Sequence, residues 1–288
     1  MFSAKILADS RHPNGSRLTT FELTYPRFVH SELMTHRKFS RNSASSRAIP
    51  TKVLMRQILE NPVVPIHWGK LQKGMQAFKE LDHNDHKLCE EVWLSARNWA
   101  VDHAKSLLDM GLHKQIVNRL LEPWMWITVI VTSDERGLHN FFRLRVDPMA
   151  EPHIRRIAEM MFRLYAAVPG DVKRLEYGRW HLPFISEEEK DEHEIQDCIK
   201  KSVARCARGS YLQHNGDFTF EADVALGEKL STSGHWSPFE HQAMASQAPN
   251  MGGNFCSGWY QNRKRYTEES GRFDSQRELA EFIASKKL

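Results

Sequence analysis

Apolar and polar positions along this chain switch between a two-residue period and one of roughly 3.6 residues, and the switches mark its elements. Leu18-Thr19-Thr20-Phe21-Glu22-Leu23-Thr24-Tyr25 alternates loosely and is rich in threonine and aromatics, which predicts a strand ended by Pro26. Arg27 to Arg37 then reads as a helix with Phe28, Leu33 and Met34 turned inward. Thr51 to Glu60 reads as a short helix stopped near Pro62. From Asp85 to Met110, Leu88, Val92, Val101, Ala104 and Leu108 recur at helical spacing, and Gly111 suits the C-terminal cap. Trp124 to Thr132 is β-branched and aromatic, a second strand. Arg143 and Arg145 alternate as on an exposed strand face. Pro152 to Val168 is amphipathic, with Ile154, Ile157, Met161 and Leu164 on one side and arginines on another. Ser186-Glu187-Glu188-Glu189 has the form of a capping box opening a helix that runs to about Ala207. Glu221 to Leu230 and Ser275 to Ala284 read as further helices. Neither Pro148 nor the segment from Gly178 to Phe184 has the composition of a linker, so the expectation is one α/β (α+β) domain over residues 1–288.

Composition narrows the class. The 288 residues are 41% hydrophobic and 10% aromatic, enough for a substantial core. No run of about 18 apolar residues offers a membrane span, and Met1 to Asp9 does not read as a secretory leader. Cys89, Cys198, Cys206 and Cys256 lack metal or redox spacing, which suits a reduced, cytoplasmic protein. A net charge of +4 favours small polyanions such as nucleotides, phosphates or folate and does not demand DNA or RNA.

The densest chemistry lies in His36-Arg37-Lys38-Phe39-Ser40-Arg41-Asn42-Ser43-Ala44-Ser45-Ser46-Arg47. Four hydroxyls, an amide, three arginines and a histidine would need many buried partners, so the segment is expected outside the core. Guanidinium forks and hydroxyls suit an anion, while a solvated basic loop is the plainer reading. The segment resembles the signature of flavin-dependent thymidylate synthases, Arg-His-Arg-x-x-Ser-x-Asn-x-x-Ser-x-Arg. Six of its seven fixed positions are present, as His36, Arg37, Ser40, Asn42, Ser45 and Arg47, with Thr35 replacing the first arginine. Ser43 stands where the family often has an acidic residue.

Other segments resemble the same family. His235-Trp236-Ser237-Pro238-Phe239-Glu240-His241 is similar to Gly-His-x-Ser-Pro-Phe-Glu-His. The separation of its histidines and the intervening Pro238 argue against a zinc pair, so no metal is expected. Leu138 to Asp147 resembles Leu-Met-Asn-Phe-Leu-Asn-Leu-Arg-x-Asp, with Met149 where a histidine is frequent. Arg119, in Asn118-Arg119-Leu120-Leu121-Glu122-Pro123, resembles an Arg-x-x-Leu-Pro element, or is a helix-terminal arginine facing the dipole. Val203 to Tyr211 resembles an Ala-Arg-x-Ser-Tyr region, or is the basic end of a helix. In the family the Ala-Arg-x-Ser-Tyr and Ser-Pro-Phe-Glu-His elements precede the strand and the arginine signature, and here both come last, so the chain resembles a circular permutation whose joined parts lie close together. Gly252 to Tyr266, with Trp259, Tyr260, Arg263, Lys264 and Arg265, reads equally as a folate-holding loop or as an aromatic-anchored surface loop.

The resemblance implies a fold like that of the thymidylate synthase-complementing proteins, a mixed or antiparallel sheet flanked by long helices. It implies methylation of dUMP at C5 with FAD, methylenetetrahydrofolate and NADPH, in a homotetramer whose sites are shared between subunits. Arg145 and His241 would be catalytic. His36, Arg37, Ser40, Asn42, Arg136, Asn140, Ser210 and His241 would hold the flavin. Glu32, Ser45, Ser46, Arg47, Arg119 and Arg145 would hold the nucleotide. Two alternatives stay open: a pyrimidine hydroxymethylase or dCMP-acting enzyme of the same build, and a non-catalytic nucleotide- or RNA-binding protein, which would show steep salt dependence and no flavin.

Overall fold

Strand pairing sorts the side chains of this chain onto an apolar and a polar face of one sheet. The computed structural model describes residues 1–167, 172–209, 218–248, 253–255, 258–270 and 275–285. Strands β1 (Ser3–Arg11), β2 (Arg17–Pro26), β3 (Ser40–Ser43) and β4 (Trp126–Asp134) form an antiparallel sheet in the order β1-β2-β4-β3. Residues directly paired across strands share a face. Phe21, Leu23 and Tyr25 pair with Val131, Val129 and Ile127 on the apolar side. On the opposite side Thr20 and Thr24 pair with Thr132 and Thr128, Ser40 pairs with Thr132, and Asn42 pairs with Ile130.

Helices close the apolar side. Before β4 the chain forms α1 (His30–Met34), α2 (Thr51–Glu60), α3 (His83–Asp109) and α4 (Lys114–Val117). After it come α5 (Glu135–Arg145) and α6 (Pro152–Ala166). Leu138 and Phe141 of α5 and Ile154, Ile157 and Met161 of α6 are buried against Phe21, Leu23 and Val131. Each such side chain contributes about 1.5–3 kcal/mol of transfer free energy. A second core joins α2 and α3 to Leu121 and Trp124. The polar side is covered by a small antiparallel sheet, β5 (Trp180–His181), β6 (Ala243–Ala245) and β7 (Trp259–Gln261), in chain order. The remaining helices are α7 (Glu187–Glu192), α8 (Ile195–Arg208), α9 (Phe220–Thr232) and α10 (Gln276–Ser285). Among the described residues no helix is long and apolar enough to cross a membrane.

The α+β class and the flanking helices match the expectation, and several local readings need correction. Leu138 to Arg145 is helix rather than strand: the Asp134 carboxylate accepts the Gly137 N–H at 2.9 Å, and Leu138, Phe141 and Phe142 share the buried face. The helix expected over Arg27–Arg37 shrinks to a 3-10 turn and α1, where the Thr35 hydroxyl donates to the Glu32 carbonyl. Leu33 is inward as expected, but Phe28 and Met34 are exposed. In α3, capped by Asp82, Val101 and Ala104 are buried, whereas Leu88 and Val92 are 59% and 69% exposed because the first half of the helix runs past its core. Gly111, with φ +84°, follows its end. The helix predicted from Ser186 to Ala207 is two, broken at His193, whose ring stacks on Phe220 at 3.7 Å; the capping box at Ser186 is present. Strands β1 and β3 were not expected. The second lies inside the segment placed outside the core, and His36, Ser40, Asn42 and Ser46 are in fact buried. Trp124 ends a 3-10 segment, and β4 starts two residues later.

Helices α8 and α9 touch most closely at Gly227, where an added Cβ would sit 2.5 Å from the Lys200 carbonyl oxygen. Backbone cannot rotate away as a side chain can. Gly227→Ala is therefore expected to lower stability by about 1–3 kcal/mol, read as a lower urea midpoint at unchanged m-value; an unshifted midpoint would contradict this packing.

Candidate active site

The polar face of the main sheet and its cover are joined by hydrogen bonds between segments far apart in sequence. Ser40 Oγ accepts from Gln261 Nε2 at 3.0 Å and from Asn254 Nδ2 at 3.1 Å. Asn42 Nδ2 donates to the Cys206 carbonyl at 2.6 Å, and Ser237 Oγ donates to Asn42 Oδ1 at 3.2 Å. Ser237 begins a 3-10 turn, Ser237–Glu240, started by Pro238 and anchored by buried Phe239. His241 follows, fully buried, with Nδ1 2.9 Å from Thr132 Oγ1. Within the Gly252–Tyr266 segment, Trp259 is buried in β7, Arg263 pairs with Glu240 and Glu269, and Lys264 pairs with Glu269. The described part is thus anchored, with Arg263 and Lys264 paired to carboxylates; residues 252 and 256–257 lie outside the described residues.

A cavity of about 820 Å³ opens beside this junction. Asn42, Ser43, Ser45 and Arg47 line one side, and Arg208, Lys229, His235 and Ser237 line another, with His113 also in the wall. Arg208 Nε donates to the buried Asp223 Oδ1 at 2.7 Å, which fixes the guanidinium. The described lining holds three cationic side chains and no carboxylate, an environment for a phosphate-bearing ligand. Lys229 and His113 escaped the sequence reading because each sits in an ordinary helical or turn context, whereas Arg208 is the arginine of the Ala-Arg-x-Ser-Tyr resemblance; the fold brings all three to one cavity with Arg47.

Arg145 lies elsewhere. With Glu32 it lines a second cavity, of about 890 Å³, whose wall includes His67, Phe78, Met149, Glu151 and Arg156. Arg145 Nε donates to His36 Nε2 at 3.0 Å, and its Nη2 reaches the Thr35 hydroxyl at 3.5 Å. Glu32 Oε2 is 3.7 Å from Nη1. Burial, then the charges of Arg145 and Arg41, push His36 down to about 4, so it is neutral and accepts at Nε2. Burial and Glu151 raise the Glu32 carboxyl against the opposing pull of Arg145.

The other expected site residues are dispersed. Ser46 is buried and donates to Glu122 Oε1 at 2.6 Å, and Arg119 binds the same oxygen at 2.8 Å, so neither lines the basic cavity. Glu122 is a partner that sequence reasoning did not anticipate. Arg37, Arg136 and Asn140 stand on the exposed surface. Ser210 lies outside the described residues. Among the described residues, no cluster of three or more His, Cys, Asp or Glu could hold a metal ion.

Residues 17–169 match the family model described as thymidylate synthase complementing protein. Among solved structures the chain is similar to a UMP/dUMP methylase PolB from Streptomyces cacaoi. The form bound with 5-Br dUMP is 20% identical over 53% of this chain and 67% of that one, with a TM-score of 0.42. The form bound with 5-Br UMP is 23% identical over 53% and 69%, with a TM-score of 0.45. No curated protein matches the chain.

Burial pushes four histidines down, His30 and His36 to about 4 and His181 and His241 to about 3. Each is neutral when folded and regains its ordinary basicity on unfolding, so the unfolded chain binds more protons below about pH 6.5. Stability is expected to be retained above that pH and to fall as pH drops toward 3–4, each histidine adding up to about 1.4 kcal/mol per pH unit. Urea midpoints measured from pH 7.5 to 4.5 test this; a flat profile would contradict neutral burial.

Proposed function

The chain belongs to the thymidylate synthase complementing protein family, and we propose that it methylates dUMP at C5, with methylenetetrahydrofolate as carbon donor, FAD as cofactor and NADPH as reductant. The observation that carries this reading is the basic cavity, where Asn42, Ser45 and Arg47 of the signature meet Arg208, Lys229 and Ser237. Its volume and its cations suit a phosphate-bearing nucleotide or flavin. When bound, FAD supplies hydride chemistry that no side chain can. The protein's share is binding, orientation and charge. Arg47, Arg208 and Lys229 hold phosphate, with the Ser43 and Ser45 hydroxyls completing the cradle. Ser40, Asn42 and His241 would hold the flavin.

Uracil C5 is a weak nucleophile, and activating it builds negative charge on the ring carbonyls. Arg145 offers a fixed guanidinium for that charge: its Nε is held on neutral His36, and Glu32 Oε2, 3.7 Å from Nη1, balances part of its charge without a hydrogen bond to it. No cysteine nucleophile is required. Cys206 is fully buried and its thiol is pushed above the range in which a thiolate forms.

Arg47 and Arg145 line different cavities of one chain. That separation, with Arg37, Arg136 and Asn140 exposed, supports a site completed by a second copy within a homotetramer. The bonds from Ser237 to Asn42 and between His241 and Thr132 bring the late motif onto the early one, which supports reading the chain as a circular permutation of its family.

Mass spectrometry after incubating FAD-loaded protein with dUMP, methylenetetrahydrofolate and NADPH is expected to show a nucleotide heavier by one methylene group; unchanged dUMP would contradict the proposal. Arg47→Ala is expected to raise the nucleotide KM on the order of 10- to 100-fold, through lost charge-assisted hydrogen bonds. Arg145→Ala is expected to lower kcat on the order of 100-fold. Steady-state kinetics separates the two, and unchanged turnover in Arg145→Ala would remove it from catalysis.

A further inference from the structure

One unbranched hydrogen-bonded line crosses the polar face of the sheet and ends at His241. Ser10 Oγ is 2.9 Å from His181 Nδ1, and His181 Nε2 is 2.8 Å from Thr20 Oγ1. Thr20 Oγ1 is 2.7 Å from Thr132 Oγ1, which is 2.9 Å from His241 Nδ1. His181, Thr20, Thr132 and His241 are all at most 1% exposed, whereas Ser10 keeps 7%. At the far end, buried His241 Nε2 has no hydrogen-bond partner among the described residues. We propose that Ser10, His181, Thr20 and Thr132 are positioning residues that relay a proton to and from His241 Nε2, the atom left to face the bound flavin and folate.

Each threonine hydroxyl in the line has one hydrogen and stands between two partners, so the line has only two complete arrangements. In one, His241 carries its proton on Nδ1 and donates to Thr132, which donates to Thr20, which donates to His181 Nε2, while His181 Nδ1–H donates to Ser10. In the other, every bond is reversed and both imidazoles carry their protons on Nε2. A proton taken up at His241 Nε2 converts the first into the second. The His241 Nδ1 proton passes to Thr132, the Thr132 proton to Thr20, the Thr20 proton to His181 Nε2 and the His181 Nδ1 proton to Ser10. The original hydroxyl proton of Ser10 leaves to water. One proton enters and one leaves, no heavy atom moves, and each histidine ends neutral. Burial disfavours the charged form of both imidazoles, so passing the proton on is favoured over keeping it. Opposite tautomers at the two histidines would leave either a hydroxyl hydrogen unplaced or two oxygens facing each other at 2.7 Å with no hydrogen between them. The tautomers of His181 and His241 are therefore coupled across two threonines.

The assignment of His241 to the reacting side rests on the proposed function, but the coupling does not. Long-range 15N–1H correlation spectra of the full chain labelled at histidine nitrogen read the tautomers directly. The relay predicts that His181 and His241 carry their protons on the same ring position, both Nδ1 or both Nε2; opposite tautomers would overturn it. In the turnover assay, Thr20→Val is expected to lower kcat at least tenfold with unchanged dUMP KM and flavin absorbance, and Thr20→Ser is expected to restore it. Wild-type kcat in folded Thr20→Val would overturn the catalytic use of the relay. An unaltered protein with matched tautomers and no methylation of dUMP would instead count against the proposed function alone.

Discussion

The structure depends on satisfying a buried polar sheet face. Ser40, Asn42, Thr20 and Thr132 are withdrawn from water, and each such group left unpaired costs about 1–3 kcal/mol. Helices α5 and α6 take the other face with Phe141, Ile157 and Met161. The cover comes from described residues between 180 and 262, where Gln261, Asn254, Ser237, His241 and the Cys206 carbonyl bind Ser40, Asn42 and Thr132. An apolar cover would strand the hydroxyls and an exposed face would open the core, so early and late parts of the chain are fixed on one another.

That constraint explains what was legible in the sequence. β2 and β4 were readable because both are rich in threonine, β-branched and aromatic residues, and α6 because Ile154, Ile157 and Met161 recur at helical spacing. β3 was not, because Ser40-Arg41-Asn42-Ser43 carries no apolar pattern; its partners lie on β4 and in the late segment. β1 is an edge strand with mostly half-exposed positions, so its alternation is shallow. At α5 the alternating arginines suggested a strand, but burial of Phe141 and Phe142 together with the Asp134 cap outweighed it. The motif segments, Arg208 among them, named the neighbourhood of the candidate site, whereas Lys229 and Glu122 entered it only through tertiary packing, which spacing along one chain does not encode.

Electrostatics then divides the site into parts. The basic cavity gathers Arg47, Arg208 and Lys229 without a lining acid among the described residues, an environment that attracts phosphate. Around Arg145 the charge is more balanced, with Glu32 near and His36 held neutral. At the polar face the buried histidines are kept neutral, so they act as donors and acceptors rather than as charges. A cationic anchor, a fixed guanidinium and a neutral proton path are distinct tasks, and the fold assigns them to different segments.

Hydrogen exchange of the full chain, with and without FAD and dUMP, tests most directly whether the face-and-cover junction is the ligand site. The account predicts slowed exchange in residues 42–48 and 226–238, which line the basic cavity from opposite ends of the sequence. Unchanged exchange in both segments, with protection appearing elsewhere, would contradict it.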